Sequence, residues 1–178
     1  MNTPPTAAHI VLRIQPTISI RGHKVDVIAE HNRVFEQQGR VAVGKFGASW
    51  TPSKCDAFTS AIAHGKTLYL FLVSKKAPGY QAFRAPIRAV FLAGQEKRNG
   101  LHHPPYYDLI AQQPHLQDEF LEPHPSMWFE LGGPLKPHTI DNLRLLTSGR
   151  ALLEVLDDCR TCMMLVVSRM HHTPSAAR

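Results

Sequence analysis

Six aromatic rings, a pair of glycines and a lysine are the residues of this 178-residue chain whose types and spacing suit a planar ligand carrying phosphate. The densest group is the stretch 40–50, RVAVGKFGASW, in which Gly44 and Gly47 enclose Lys45 and Phe46, and Trp50 follows. Glycine permits backbone conformations closed to other residues and lets a ligand come close to the main chain. A flat ring beside a cation suits a nucleotide base attached to its phosphate. The other rings are Tyr106, Tyr107, Trp128 and Phe129. A core function is open to all six, since most aromatics in small domains are packing. Alternation along the strand-like MWFEL puts Trp128 and Phe129 on opposite faces, so both cannot enter one site. Trp50 and Tyr106 come from loop sequence, where binding residues concentrate.

A base pocket drawn from Phe46, Trp50, Tyr106, Tyr107 and Trp128 would need phosphate contacts beside it. Gly44, Lys45 and Gly47, with Lys75, Lys76, Arg84 and Arg88, are the candidates. Such contacts fix position without reading sequence, and they weaken with salt. Ordinary solvated surface is the alternative for each cation taken singly.

Signals for other chemistry are thinner. Cys159 and Cys162 form a CxxC pair with His171 and His172 downstream. The histidines lack the usual zinc spacing, and a redox pair lacks its βαβ surroundings, so neither metal nor cofactor is expected. The region 94–126 holds His102, His103, His115 and His124 near Asp108, Asp118, Glu119 and Glu122, from which a general base could be drawn. There is no G-x-S-x-G, H-E-x-x-H, Walker A or deaminase pattern. The expectation is a non-enzyme. A metal-dependent nuclease, whose acids need not be adjacent in sequence, is the second hypothesis. A subunit that binds another protein through 94–126 is the third.

Composition sets the frame for these residues. A hydrophobic fraction of 43% with 19% charged residues describes a globular chain large enough for one proper core. The net charge of +6 points to a polyanionic partner, and eleven histidines add charge below neutrality. Three cysteines, no export signal and no membrane-length apolar run fit a reducing cytoplasm.

The elements that must position the rings follow from periodicity. Residues 8–15 read as a first strand, interrupted by Pro16, with Ile18 and Ile20 continuing its alternation. Residues 26–38 read as a helix stopped by Gly39, and 53–64 as a second helix capped by Thr51 with Pro52 at its first position. The apolar run 67–74 should be central in a sheet, and 80–93 should return beside it with a bulge or a break at Pro86. The segment 94–126, rich in Pro104, Pro105, Pro114, Pro123 and Pro125, reads as a long loop with a short helical piece. Strands at 127–131 and 163–167 and a short helix at 151–156 complete the chain. Residues 1–7 and 169–178 read as frayed ends of a single domain spanning 1–178. Strands joined by hairpins and long links, not by βαβ units, indicate an α+β fold whose mainly antiparallel sheet curls towards a barrel.

The order of these motifs resembles the EVE domains of the PUA-like superfamily, relatives of ASCH and YTH domains. The resemblance rests on Val41, Gly44, Lys45, Phe46 and Gly47 after a short helix, then a helix and the apolar strand 67–74. The tyrosine pair 106–107 in a Pro-rich loop, the strand containing Trp128 and Phe129, and the segment 143–154 (LRLLTSGRALLE) follow in the same order. Where such domains would place bulky aromatics before the turn, this chain has Ala42 and Val43. The resemblance implies a PUA-like pseudo-barrel with peripheral helices, and a mouth that binds a base, often modified, in an aromatic pocket. It implies a nucleic-acid partner, with DNA favoured and RNA the alternative, read by base flipping for a restriction or phage-defence nuclease. The base would lie between Trp50 and a tyrosine of the 106–107 pair, with Gly44–Gly47 amides and Lys45 on the neighbouring phosphates.

Overall fold

One strand of fourteen residues, Gly79–Leu92, joins the two halves of the molecule. The computed structural model describes residues 8–95, 99–112, 124–158, 161 and 163–168. In chain order its elements are β1 (His9–Arg13), β2 (Thr17–Ile20), β3 (His23–Asp26), α1 (Val27–Gln38), β4 (Val41–Lys45), α2 (Pro52–Ala63) and β5 (Tyr69–Lys76). The long strand is β6, and after it come α3 (Tyr106–Ala111), β7 (Met127–Leu131), β8 (Lys136–His138), β9 (Leu143–Leu145), α4 (Leu152–Leu156) and β10 (Met163–Ser168). The main sheet runs β4-β7-β6-β5-β1-β10-β9, with β8 added to β6. Among the described residues only β1 and β5 pair in parallel, so the fold is α+β with a mainly antiparallel sheet, as expected. No helix among the described residues is long and apolar enough to cross a membrane.

The N-terminal half of β6 pairs with β5 as far as Pro86, and the C-terminal half pairs with β7. The register slips between Ile87 and Ala89, next to Pro86, so of the bulge or break expected there the strand has the bulge. β5 is central, and its continuous apolar run is explained by burial of both faces. Leu70 and Leu72 join Ile10, Leu12, Val43 and Phe129 in one core, which α1 and α2 cover through Ile28, Val34, Cys55 and Phe58. Phe71 and Val73 join Val11, Val166 and the α4 residues Leu152, Val155 and Leu156 in a second. β7 divides likewise. Phe129 enters the first core, whereas Trp128 turns to a third cluster with Ala42, Tyr106, Tyr107 and Ile110.

The helix ends show which sequence signals were used. Asp26 caps α1 by accepting the Ala29 amide at 2.9 Å, and Gly39 ends it in the left-handed region at φ 70°. At α2, Pro52 opens the helix but the Thr51 side chain bonds no helix amide, and its hydroxyl lies 3.2 Å from Ser53 Oγ instead. Ile18 and Ile20 do not continue β1. They belong to a separate hairpin, β2–β3, which closes through Arg21 and Gly22 at φ 51° and 78°. Two successive residues of positive φ make the tight turn whose twist suits a two-residue hairpin, and that turn overrides the alternation.

Candidate functional site

Tyr107 is the centre of the third cluster, on the short helix α3 rather than in a loop. Its ring stacks on Tyr106 at 4.3 Å and on Phe46 at 6.1 Å, and meets Trp128 edge-on at 5.0 Å. Its hydroxyl accepts the Gly44 amide at 2.9 Å, which fastens α3 to β4. His31 of α1 donates from Nδ1 to the Val27 carbonyl at 2.7 Å, so its Nε2 is free to accept, and it lies 3.4 Å from the Tyr107 hydroxyl. Burial lowers the His31 pKa to about 4 and raises that of Tyr107 to about 12, so both are neutral across the physiological range. Burial, then Tyr107, raises the Tyr106 pKa as well.

A cleft of about 450 Å³ opens beside this cluster, walled by Tyr107, Trp128, Leu101, His103, Asp108 and His124. The loop before α3 is held to β4 by the Ala42 amide, which donates to the His102 carbonyl at 2.7 Å. His103 lies flat on Trp128, with ring centres 5.0 Å apart and planes 24° from parallel. Its Nδ1 bonds the Pro104 carbonyl at 3.1 Å, leaving Nε2 facing the Asp108 carboxylate at 4.0 Å. Trp128 is 4% exposed, and its indole N–H has no acceptor among the described residues. Behind it on the same face of β7, the buried Glu130 carboxylate pairs with Arg40 at 2.5 Å. The wall therefore offers a flat imidazole backed by an indole, a buried donor, an exposed carboxylate and a second imidazole. That set suits a planar ring with polar edges.

The residues read from the sequence divide around this cleft. Tyr107 and Trp128 line it, and Tyr106 and Phe46 support Tyr107 from either side without reaching it. Trp50 does not belong here. It packs against Phe58 and edge-on against Phe129 in the first core, across β7 from Trp128, so no base can lie between Trp50 and either tyrosine. Alternation in β7 is the physical reason.

The phosphate set is corrected too. Gly44 sits in a strand with its amide given to Tyr107, and a Cβ there would lie 2.5 Å from Pro125 Cγ and 2.9 Å from Trp128 Cζ3. Its smallness makes room for those two rings, not for a ligand. Lys45 is buried, and its ammonium donates to the Phe46 and Ala48 carbonyls, which binds the turn together. Gly47 takes φ 80° within that turn and is exposed. Lys75 and Lys76 are exposed near the β5–β6 turn, and the Arg84 guanidinium covers the Tyr69 ring at 4.1 Å. Lys76 pairs with the first residue of β6 while Trp128 pairs with Phe91 near its last, about 40 Å of strand at the usual rise. Arg88 is exposed on β6.

Ala42, just before the turn, is fully buried in the third cluster with Tyr106, Tyr107 and Trp128. His103, Asp108 and His124 went unassigned as wall residues in the sequence. The signal was present in His103-Pro104-Pro105-Tyr106-Tyr107, because two prolines stiffen the approach to the helix and fix the imidazole against the rings. Cys159, Cys162, His115, Asp118, Glu119, Glu122, Pro114, Pro123, His171 and His172 lie outside the described residues. Among the described residues no three His, Cys, Asp or Glu side chains come together as a metal site would need.

No family model, no curated protein and no solved structure matches this chain.

Proposed function

We propose that this chain is a nucleic-acid-binding domain of the PUA-like, EVE type, and that it accepts a single base in the cleft beside His103. The observation that carries the reading is the Trp128 indole N–H, buried without an acceptor among the described residues in the wall of an open, aromatic cleft. A buried donor without a partner costs stability, and a ligand acceptor would relieve it. A base flipped out of a duplex needs a ring to stack on and hydrogen bonds along its edge. His103 supplies the first, and Trp128, Asp108 and His124 supply the second. The volume, about 450 Å³, suits one nucleoside rather than a longer segment. The charge of +6 favours a polyanion that carries the base.

In this reading the base is a modified one in DNA, the domain does no chemistry, and a nuclease or other effector acts on what it marks. A cytoplasmic location goes with that role. The pseudo-barrel is supported by the way the sheet curls. Trp50, which follows β4 at one end of the strand order, shares a second cleft with Leu145 of β9 and Met163 of β10 at the other.

The test is a titration at two salt concentrations with matched oligonucleotides bearing cytosine, 5-methylcytosine, 5-hydroxymethylcytosine or a glucosylated base, alongside RNA. One modified base should bind at least tenfold tighter, about 1.4 kcal/mol. Trp128→Phe, which keeps a ring and removes the N–H, should erase that preference, while Trp50→Phe should retain it. Equal binding of every ligand, weakening only with salt, would overturn the proposal.

A further inference from the structure

The second cleft, of about 430 Å³, takes no base in that reading. It lies where the two ends of the curled sheet approach each other. One wall is Trp50 and Lys54, and the other is Leu145, Thr147, Met163 and Leu165. Its floor is largely apolar. The Lys54 ammonium stands over the Trp50 ring at 4.8 Å. Half-buried there, it has no carboxylate within ion-pair distance among the described residues. A cation held partly out of water against a ring, at the lip of an apolar cleft, is complementary to an anion that brings an apolar body with it.

We infer that this seam is a second binding site, for a small planar aromatic molecule carrying one negative charge. The aromatic body lies against the thioether and leucine side chains, a contact that sulfur and aromatic rings favour, with Trp50 at its edge. The charged group pairs with Lys54. The ligand exchanges the Lys54–Trp50 contact for an ion pair and an aromatic contact, so arrival of the ring and capture of its charge are one event. Neither wall is sufficient alone, because the apolar wall comes from the end of the chain and the cation from α2.

Anilinonaphthalene sulfonate, an aromatic anion with a flat naphthalene ring, is the probe, titrated into the full native chain at constant ionic strength and followed by its own emission. The expected result is saturable binding of one probe per chain. Lys54→Met, which keeps the aliphatic stem and removes the charge, should weaken it at least tenfold. Met163→Glu should abolish it. The uncharged analogue phenylnaphthylamine should bind at least tenfold more weakly than the sulfonate. Circular dichroism of each variant establishes that it is folded, and Lys54→Met at a half-buried surface position should be. Absence of binding, unsaturable binding, equal binding by folded Lys54→Met, or equal binding of the uncharged analogue would each overturn the inference.

Discussion

The Tyr107 hydroxyl accepts the Gly44 amide at 2.9 Å, across 63 positions of sequence, and this bond joins α3 to β4 at the back of the cleft. A strand amide on the side away from β7 would otherwise be an unsatisfied donor near the core. Tyr107→Phe keeps the ring stack and removes the acceptor. It should destabilise the fold by about 1–2 kcal/mol in urea denaturation with an unchanged denaturant slope. A variant as stable as wild type would mean that water replaces the hydroxyl.

Gly44→Ala tests the opposite side of the same residue. The new methyl would overlap Pro125 and Trp128, whose rings are held by the surrounding packing. Overpacking of this kind costs roughly 1–3 kcal/mol. Thermal unfolding should show it as a lowered Tm, whereas Gly79→Ala, with open space around its Cβ, should change Tm little.

Arg40 and Glu130 form an ion pair of unequal burial, the guanidinium side chain 30% exposed and the carboxylate side chain 4%. Removing the arginine leaves a buried carboxylate without its partner. Loss of one member of a fully buried pair costs about 3–5 kcal/mol, and the exposure of Arg40 reduces this to roughly 2. Arg40→Met should show that loss, and Arg40→Met combined with Glu130→Leu should recover most of it. A double variant no better than the sum of the single ones would show the two residues to be uncoupled.

His31 makes the fold acid-sensitive. Its pKa is lowered to about 4 by burial, against about 6.5 for an unfolded chain. The unfolded state therefore takes up the proton first as pH falls. The neutral ring's full contribution is present above about pH 6.5 and is lost progressively down to about pH 4, a change of ~3 kcal/mol. His9, lowered by burial and then by Arg84, acts in the same direction. His31→Leu should flatten the pH dependence of stability between those limits, measured by urea denaturation at several pH values. An unchanged profile would assign the acid sensitivity elsewhere.

Local signals in the sequence were enough for the helices and the longer strands, but not for the β2–β3 hairpin, β8 and β9, nor for the partners of each element. Gly39 and Pro52 mark helix ends by chemistry that acts within a few residues, whereas Asp26, read as helical, is the cap before α1, and the apolar run at β5 follows from burial on both faces. Tyr107 and Trp128, which line the cleft, were among the five rings read from the sequence, but loop position favoured Trp50 and Tyr106, and neither of those reaches it. Trp50 was misplaced because its address depends on which face of β7 it meets, and that is decided by Phe129 far along the chain. Lys45 was misread for a similar reason. A lysine whose ammonium finds carbonyl groups one and three residues on closes a turn, and nothing in its type distinguishes that from a phosphate contact. The β2–β3 turn needed positive φ at Arg21, which an arginine does not advertise.

Pairing of β1 with β10 has a consequence for how the chain assembles. His9 lies opposite Val166, so one flank of the first strand waits for the last described segment to be made. Its other flank takes β5 in parallel, which no tight hairpin can supply. During synthesis the nascent N-terminal strand therefore leaves the ribosome with both flanks unpaired, and one stays open until β10 arrives. Closing so long a loop late makes for slow folding, with an interval in which a bare strand edge invites pairing with other chains. A permuted chain that joins β10 directly to β1 through a short linker would bring that closure to the start.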